Sequence, residues 1–366
     1  MMRVLHVIGK RPKGGIGAVV KNYQRYIDKT QVQFDYLIFD DSLEGDFDIY
    51  VKNLGSNVYV LPELKNQRVF SLASAIDNFF GIYSKDYQIV HLHSPNIAFM
   101  ILYSAEKYGI RYRIIHSHAT LYSDKKLNAL RNEILCIPIK QLANIYMACS
   151  EAAGDFLYGK NSRDHVVIVK NAIDCNRYAF NSKKRKEVRQ NLELEDKFIV
   201  GNVGRFCEQK NQIFLLEIFE EIKKINSHAV LLLVGDGPLL EEVKWKVKQK
   251  ELEKDVIFLG TREDVPDLLQ AMDVFVLPSL FEGLPVIGIE AQASGVPCVI
   301  SDKVTKELDI FNIKYVSLKK CPKEWADIIL EMKQVNREHG LEKVIEAGYE
   351  IHKEALKLQD FYLNLK

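Results

Sequence analysis

The sequence predicts an α/β protein of two Rossmann-like domains that face each other. Three observations predict it. Short apolar, β-rich runs alternate with segments of helical period along the whole chain, the pattern of helices layered on parallel sheets. The alternation stops at a charged stretch and begins again at residue 198. A chain of 366 residues is long for one hydrophobic core and comfortable for two.

In the first half the strand-like runs cover residues 4–8, 34–39, 58–61, 89–93, 112–116, 145–148 and 166–169. Segments of helical period lie between them, at 16–27, 72–83, 97–108 and 126–143. The charged stretch S-K-K-R-K-E-V-R follows at 182–189 and is expected as a solvated helix face. The second series starts with a strand at 198–203 and a helix at 211–223. A strand at 229–234 runs into Gly235-Asp236-Gly237-Pro238, and further strands are expected at 256–259, 274–277 and 298–300. A last helical segment, 349–364, lies beyond the second series.

Composition narrows the function classes. Apolar content of 47% and charged content of 27% are ordinary for a soluble globular protein, which excludes disorder. Fifty basic and 49 acidic residues leave a net charge of +1, so the chain as a whole does not attract nucleic acid. Cys136, Cys149, Cys175, Cys207, Cys298 and Cys321 show no C-x-x-C spacing, which argues against disulfides and a structural zinc site. The apolar run near the N-terminus is too short for a signal peptide, and no stretch is long enough to span a bilayer. The expectation is a reduced, cytoplasmic protein.

The richest segment is 274–300. It opens as an apolar strand and breaks at a loop with Ser279, Glu282 and Gly283; Pro285 then starts a helix that carries Glu290 and ends near Gly295. Ligands of open α/β sheets bind at the carboxyl ends of strands, and helix-start amides favour anions. Two carboxylates at that place suit the hydroxyls of a sugar and a ribose. Residues 203–211, V-G-R-F-C-E-Q-K-N, put Arg205 and Lys210 at another strand end. The arginine fork and the lysine point charge both suit phosphate oxygens, whereas either one alone would read as a surface ion pair with Glu208. Gly235-Asp236-Gly237-Pro238 can be a tight turn for purely local reasons.

In the first half, G-K-R-P-K-G-G-I-G at 9–17 joins a strand to a helix. It matches neither the dinucleotide fingerprint nor a P-loop, and on its own it reads as a flexible connection. His91 and His93 end one strand, and His116 and His118 end another; alternation puts each pair on one face. A lone histidine is more often structural, but four at two strand ends point to a site. A metal is the competing reading, and the carboxylates of a recognisable ligand spacing are missing.

Together these residues resemble the nucleotide-sugar glycosyltransferases of family 4, which have the two-domain GT-B fold. The match is ordered and covers nearly the whole chain: the Gly14-Gly15 loop, H-S-H at 116–118, V-G-R-F-x-x-Q-K-N, G-D-G-P, and E-G-L-P followed by Glu290. Asn171-Ala172-Ile173-Asp174 looks like the family's interdomain N-G-I-D, with Ala172 in place of glycine. H-S-H and the run S-D-K-V-T-K-E-L at 301–308 look most like the bacterial capsular and exopolysaccharide branch.

The resemblance implies an acceptor-binding domain over 1–170, joined by the C-terminal helix at 349–366, and a donor-binding domain over 171–348, with the active site in the cleft between them. Arg205 and Lys210 would bind the donor diphosphate and stabilise the charge that grows on departure. Glu290 would hold the ribose, and Glu282 would sit by the donor sugar, with the backbone of Gly283 and Leu284 near sugar and phosphates. His118 would approach the donor sugar from the opposite domain, and Gly14 and Gly15 would lie near the phosphates and acceptor. The implied reaction is metal-independent and configuration-retaining, from a UDP-sugar to a glycan or lipid-linked acceptor, with no cofactor. Other readings are a GT-B epimerase acting on a nucleotide sugar alone and a non-catalytic nucleotide-sugar-binding protein. The basic, apolar segment 125–140 suggests peripheral contact with anionic membrane; a core-facing helix with a basic solvated side explains the same pattern.

Overall fold

The computed structural model describes residues 1–11, 15–42, 44–62, 69–123, 126–332 and 336–365. The chain divides into two compact units, Met1–Ala172 with Ile351–Lys366, and Ile173–Glu350.

The first unit alternates strands and helices: β1 Met2–Ile8, α1 Gly15–Tyr26, β2 Val32–Phe39, α2 Asp46–Asn53, β3 Val58–Leu61, α3 Val69–Tyr83, β4 Ile89–Leu92, α4 Ala98–Lys107, β5 Tyr112–Ser117, α5 Lys126–Cys136, α6 Ile139–Leu142, β6 Ile145–Ala148, α7 Glu151–Tyr158 and β7 Val166–Ile168. Its strands form one parallel sheet in the order β3-β2-β1-β4-β5-β6-β7. All eight residues of β2 are buried, as expected of a strand covered by helices on both faces.

The second unit holds α8 Ser182–Asn191, β8 Phe198–Val203, α9 Gln212–Ile225, β9 Ala229–Val234, α10 Leu240–Gln249, β10 Val256–Phe258, α11 Val265–Ala271, β11 Val274–Leu277, α12 Val286–Ala293, β12 Cys298–Ser301, β13 Ile313–Val316, α13 Pro322–Glu331 and α14 Gly340–Glu346. Its six-stranded parallel sheet runs β10-β9-β8-β11-β12-β13. Fully buried Trp325 of α13 meets Phe214 of α9 edge-on at 5.8 Å and donates its indole N–H to the Ser317 carbonyl. The last helix, α15 Ile351–Leu363, belongs to the first unit. Its buried residues Ile351, Ala355, Leu358 and Tyr362 recur at helical spacing, and Gln359 accepts the Asp28 amide.

In each sheet the strand order reverses once, between β1 and β4 and between β8 and β11. Ligands of open α/β sheets collect outside the carboxyl ends of the strands at such a point. Every described candidate residue lies on or just after one of these strands or its neighbours, except Glu290, which α12 carries.

Three expectations need correction. The helix expected over 126–143 is two, α5 and α6, because Pro138 stands between them; proline has no N–H to donate, and its ring clashes with a preceding turn. Pro285 is the N-cap of α12 and not its first helical residue. The charged stretch of α8 is not wholly solvated. Arg185 donates to the carbonyls of Gln270, Ala271 and Met272 at the end of α11, Arg189 to that of Ala271, and both reach Asp273. Arg337 joins them on the carbonyls of Leu269, Gln270 and Met272, and its burial lowers its pKa to about 9. The arginines therefore cap the orphan carbonyls at a helix C-terminus.

Candidate functional site

The two units each carry one constellation. In the second, β8 ends at Val203, and the loop to α9 carries Arg205 and Lys210. This loop is held by backbone. The Gly204 amide donates to Val234, Phe206 to Asp236, and Leu239 to Phe206. A Cβ on Gly235 would lie 2.1 Å from the Gly204 oxygen, with φ at +135°, and one on Gly237 would lie 2.3 Å from the Phe206 oxygen. The Gly-Asp-Gly-Pro turn is thus more than a local turn: it is the surface on which the Arg205 loop rests. Asn211 closes the loop at φ +56°, a left-handed conformation that asparagine tolerates.

The loop is tied in turn to the one after β11. Leu280 donates its amide to the Gln209 carbonyl at 2.8 Å, Asn211 donates to Pro278, and Gln209 donates to Phe281. Glu282 is buried there, and Lys210 reaches its Oε1 at 2.5 Å. Ser279 donates to the same oxygen at 3.0 Å, and Gln209 to Oε2 at 3.3 Å. Lys210 is therefore paired with Glu282, not with Glu208. Arg205 is exposed and makes no ion pair among the described residues. Gly283 and Leu284 are buried between Glu282 and the cap of α12.

Two turns further on, Glu290 takes a 2.6 Å hydrogen bond from the Tyr178 hydroxyl. Burial raises the Glu290 pKa, against the opposing pull of that hydrogen bond and of Arg177. Tyr178 was missed in the sequence, where nothing in its spacing links it to a helix 112 residues on.

The first unit brings together five histidines, one more than the sequence reading singled out. His6 on β1 lies opposite His91 on β4. Ring stacking is close, with centroids 4.4 Å apart for His91 and His93 and 4.0 Å for His116 and His118. Four hydrogen bonds link the group. His6 Nδ1 meets His93 Nε2 at 2.9 Å, and His93 Nδ1 meets His118 Nε2 at 2.8 Å. The Tyr362 hydroxyl meets His91 Nδ1 at 2.6 Å, and His91 Nε2 meets His116 Nδ1 at 3.0 Å. Desolvation lowers all five pKa values, that of His6 to about 3 and that of His118 to about 4, so at neutral pH every ring is uncharged. The signal for His6 was there to be read, as a polar residue inside an apolar strand.

His6, His91 and His93, and likewise His93, His116 and His118, bring three ring nitrogens within 4.8 Å of one another. The inner nitrogens of both groups bond to one another, so a cation there would have to break those bonds. Gly15 begins α1 and is exposed, while Gly14 lies outside the described residues.

The family model "Glycosyl transferases group 1" matches residues 183–350, within the second unit. EpsF of Bacillus subtilis (strain 168), itself named as a glycosyltransferase, is 33% identical over 370 residues, covering 98% of this chain and 96% of that one. The UDP-Gal:alpha-D-GlcNAc-diphosphoundecaprenol alpha-1,3-galactosyltransferase of Escherichia coli is 27% identical over 352 residues, covering 90% of this chain and 86% of its own. Among solved structures, Anabaena HepE in complex with UDP-glucose matches with a TM-score of 0.81 at 19% identity, over 100% of both chains. That likeness is of fold, two parallel-sheet α/β domains of the GT-B kind. The whole-length kinship and the match over the second unit agree: this chain belongs to the group 1 glycosyl transferases.

Proposed function

We propose that the protein is a retaining, metal-independent hexosyltransferase that moves a sugar from a UDP-sugar to a lipid-linked glycan in bacterial surface-polysaccharide synthesis. The second unit takes the donor and the first the acceptor. The observation that carries the reading is Arg205, exposed and without an ion-pair partner among the described residues, beside Lys210 at the carboxyl end of β8. Two cations at the sheet's switch point, followed by the start of α9, suit a diphosphate. The E. coli relative's name supports both a UDP-linked donor and a diphosphoundecaprenol acceptor.

In the proposed reaction the acceptor oxygen bonds to the anomeric carbon on the face that the phosphate leaves. The carbon–phosphate oxygen bond breaks with its electron pair, and the departing diphosphate takes the acceptor proton. Arg205 and Lys210 stabilise the charge that accumulates. Glu282 has no covalent role in this scheme: Lys210, Ser279 and Gln209 already occupy its oxygens. Glu290 and Tyr178 hold the ribose.

Peripheral membrane contact fits the exposed apolar face of α5 and its flank. Leu127 is 85% and Ile137 72% exposed, with Leu130 and Ile134 beside Arg131 and Lys140. Among the described residues no helix is long and apolar enough to cross a membrane. The test of the main reading is an assay with donor alone and with lipid-linked acceptor. Transfer that needs acceptor and falls by about 10²–10³-fold in Lys210→Ala supports it; isomerised donor without acceptor would point to an epimerase.

A further inference from the structure

The His6–His93–His118 chain has two possible proton arrangements. Each neutral imidazole carries one N–H, and each ring-to-ring bond needs one donor and one acceptor. Either every ring donates towards His118, or every ring donates towards His6. The far end decides between them. His6 Nε2 is buried with no hydrogen-bond partner among the described residues, and His6 is 2% exposed. Were the chain directed at His6, that nitrogen would carry an orphaned N–H, the rarer and costlier kind of buried polar group. Directed the other way, it is a bare nitrogen. His118 is partly exposed, so water can serve its Nδ1 in either arrangement.

We infer that the chain is directed outward: His6 Nδ1–H donates to His93 Nε2, His93 Nδ1–H donates to His118 Nε2, and His118 therefore carries its proton on Nδ1, offering a donor to a ligand. His93 is a positioning residue, since it fixes the tautomer of His118 without reaching the ligand. A fixed outward N–H suits an acceptor atom such as a sugar hydroxyl or phosphate oxygen, and it rejects a ligand that presents only a donor there. This consequence rests on the proposed role of His118 at the donor sugar; the tautomer itself does not.

The experiment is ¹⁵N-imidazole NMR of the whole protein at neutral pH, with His118 assigned by its loss in His118→Phe. The expected result is a protonated, pyrrole-type Nδ1 and a bare, pyridine-type Nε2 on His118. In His6→Leu, which leaves His93 Nε2 as the buried end, the same tautomer should persist, since a bare nitrogen there again costs less than an orphaned N–H; in His6→Asn, whose amide can donate from the same place, it should persist as well. A wild-type His118 protonated on Nε2 overturns the inference, as does a switch to that tautomer in a folded His6→Leu variant. Kinetics separate the two layers. The His118→Phe variant should raise KM for the donor roughly tenfold, the worth of one good hydrogen bond. An unchanged KM beside the expected tautomer refutes the ligand role and leaves the wire standing.

Discussion

Arg205 and Lys210 are not equivalent. Lys210 is already held by Glu282, so donor binding has to share or displace that pair, whereas exposed Arg205 has no ion pair among the described residues to give up. Replacing Lys210 with Ala should lower kcat by about 10²–10³-fold, the usual cost of one donor aimed at developing charge. Arg205→Lys should recover little of the loss of Arg205→Ala, because a point charge does not reproduce the planar fork. Steady-state kinetics of the three variants check this; full activity in Arg205→Lys would contradict it. Gly235 is the matching structural test. With a Cβ driven to 2.1 Å from the Gly204 oxygen at φ +135°, Gly235→Ala should destabilise the second unit by about 2–4 kcal/mol and displace the Arg205 loop. Denaturant unfolding measures the first effect and donor affinity the second.

At the scale of elements, α8 separates what composition can say from what it cannot. A run of five cations in eight residues reads as a solvated face, and Lys183 and Lys186 keep that character. Arg185 and Arg189 do not, because Asp273 and the carbonyl end of α11 wait opposite them. Long-range partners of this sort leave no mark in local sequence. Arg189→Ala should cost about 2–3 kcal/mol, since it strips hydrogen bonds from buried acceptors, while Lys183→Ala and Lys186→Ala should fall within about 0.5 kcal/mol of wild type. The same distinction explains the rest of the comparison. Strands buried on both faces, such as β9, stood out as unbroken apolar runs. Edge strand β13, four residues with exposed Lys314 among them, did not. Glu282, Lys210 and the strand-end histidines were legible because each sits just after an apolar run, where ligands bind in this architecture. Tyr178 and Tyr362 were not, since they reach their partners across 112 and 271 residues. On α5, Leu127→Asp with Ile134→Asp should abolish co-sedimentation with anionic vesicles and leave turnover on a water-soluble acceptor intact. Unchanged sedimentation would make that apolar face irrelevant to lipid.

At the scale of the whole molecule, the histidine cluster makes the first unit sensitive to acid. In the folded state these rings have pKa values below the ordinary 6.5, near 3 for His6 and 4 for His118. Between those limits the unfolded chain binds protons that the native state refuses. The cluster's stability is therefore complete above pH 6.5 and is lost as pH falls, by about 1.4 kcal/mol per pH unit for each ring. Five rings together amount to about 14 kcal/mol at most over two pH units, comparable with a usual domain stability of about 5–15 kcal/mol. The first unit should unfold cooperatively between pH 6.5 and about 4.5, with a shallower transition in His6→Asn. Circular dichroism against pH follows it, and a first unit still folded at pH 4.5 would contradict the account.

The central claim is that Arg205 and Lys210 read the diphosphate of a sugar donor. Thermal unfolding with a panel of nucleotide sugars tests it most directly, because a ligand that binds only the native state stabilises it by mass action. At a hundredfold excess over Kd the right UDP-sugar should raise the transition of the second unit by about 5–10 °C, and the double variant Arg205→Ala, Lys210→Ala should show no rise. An equal shift in the double variant, or none from any nucleotide sugar in the wild type, would contradict the claim.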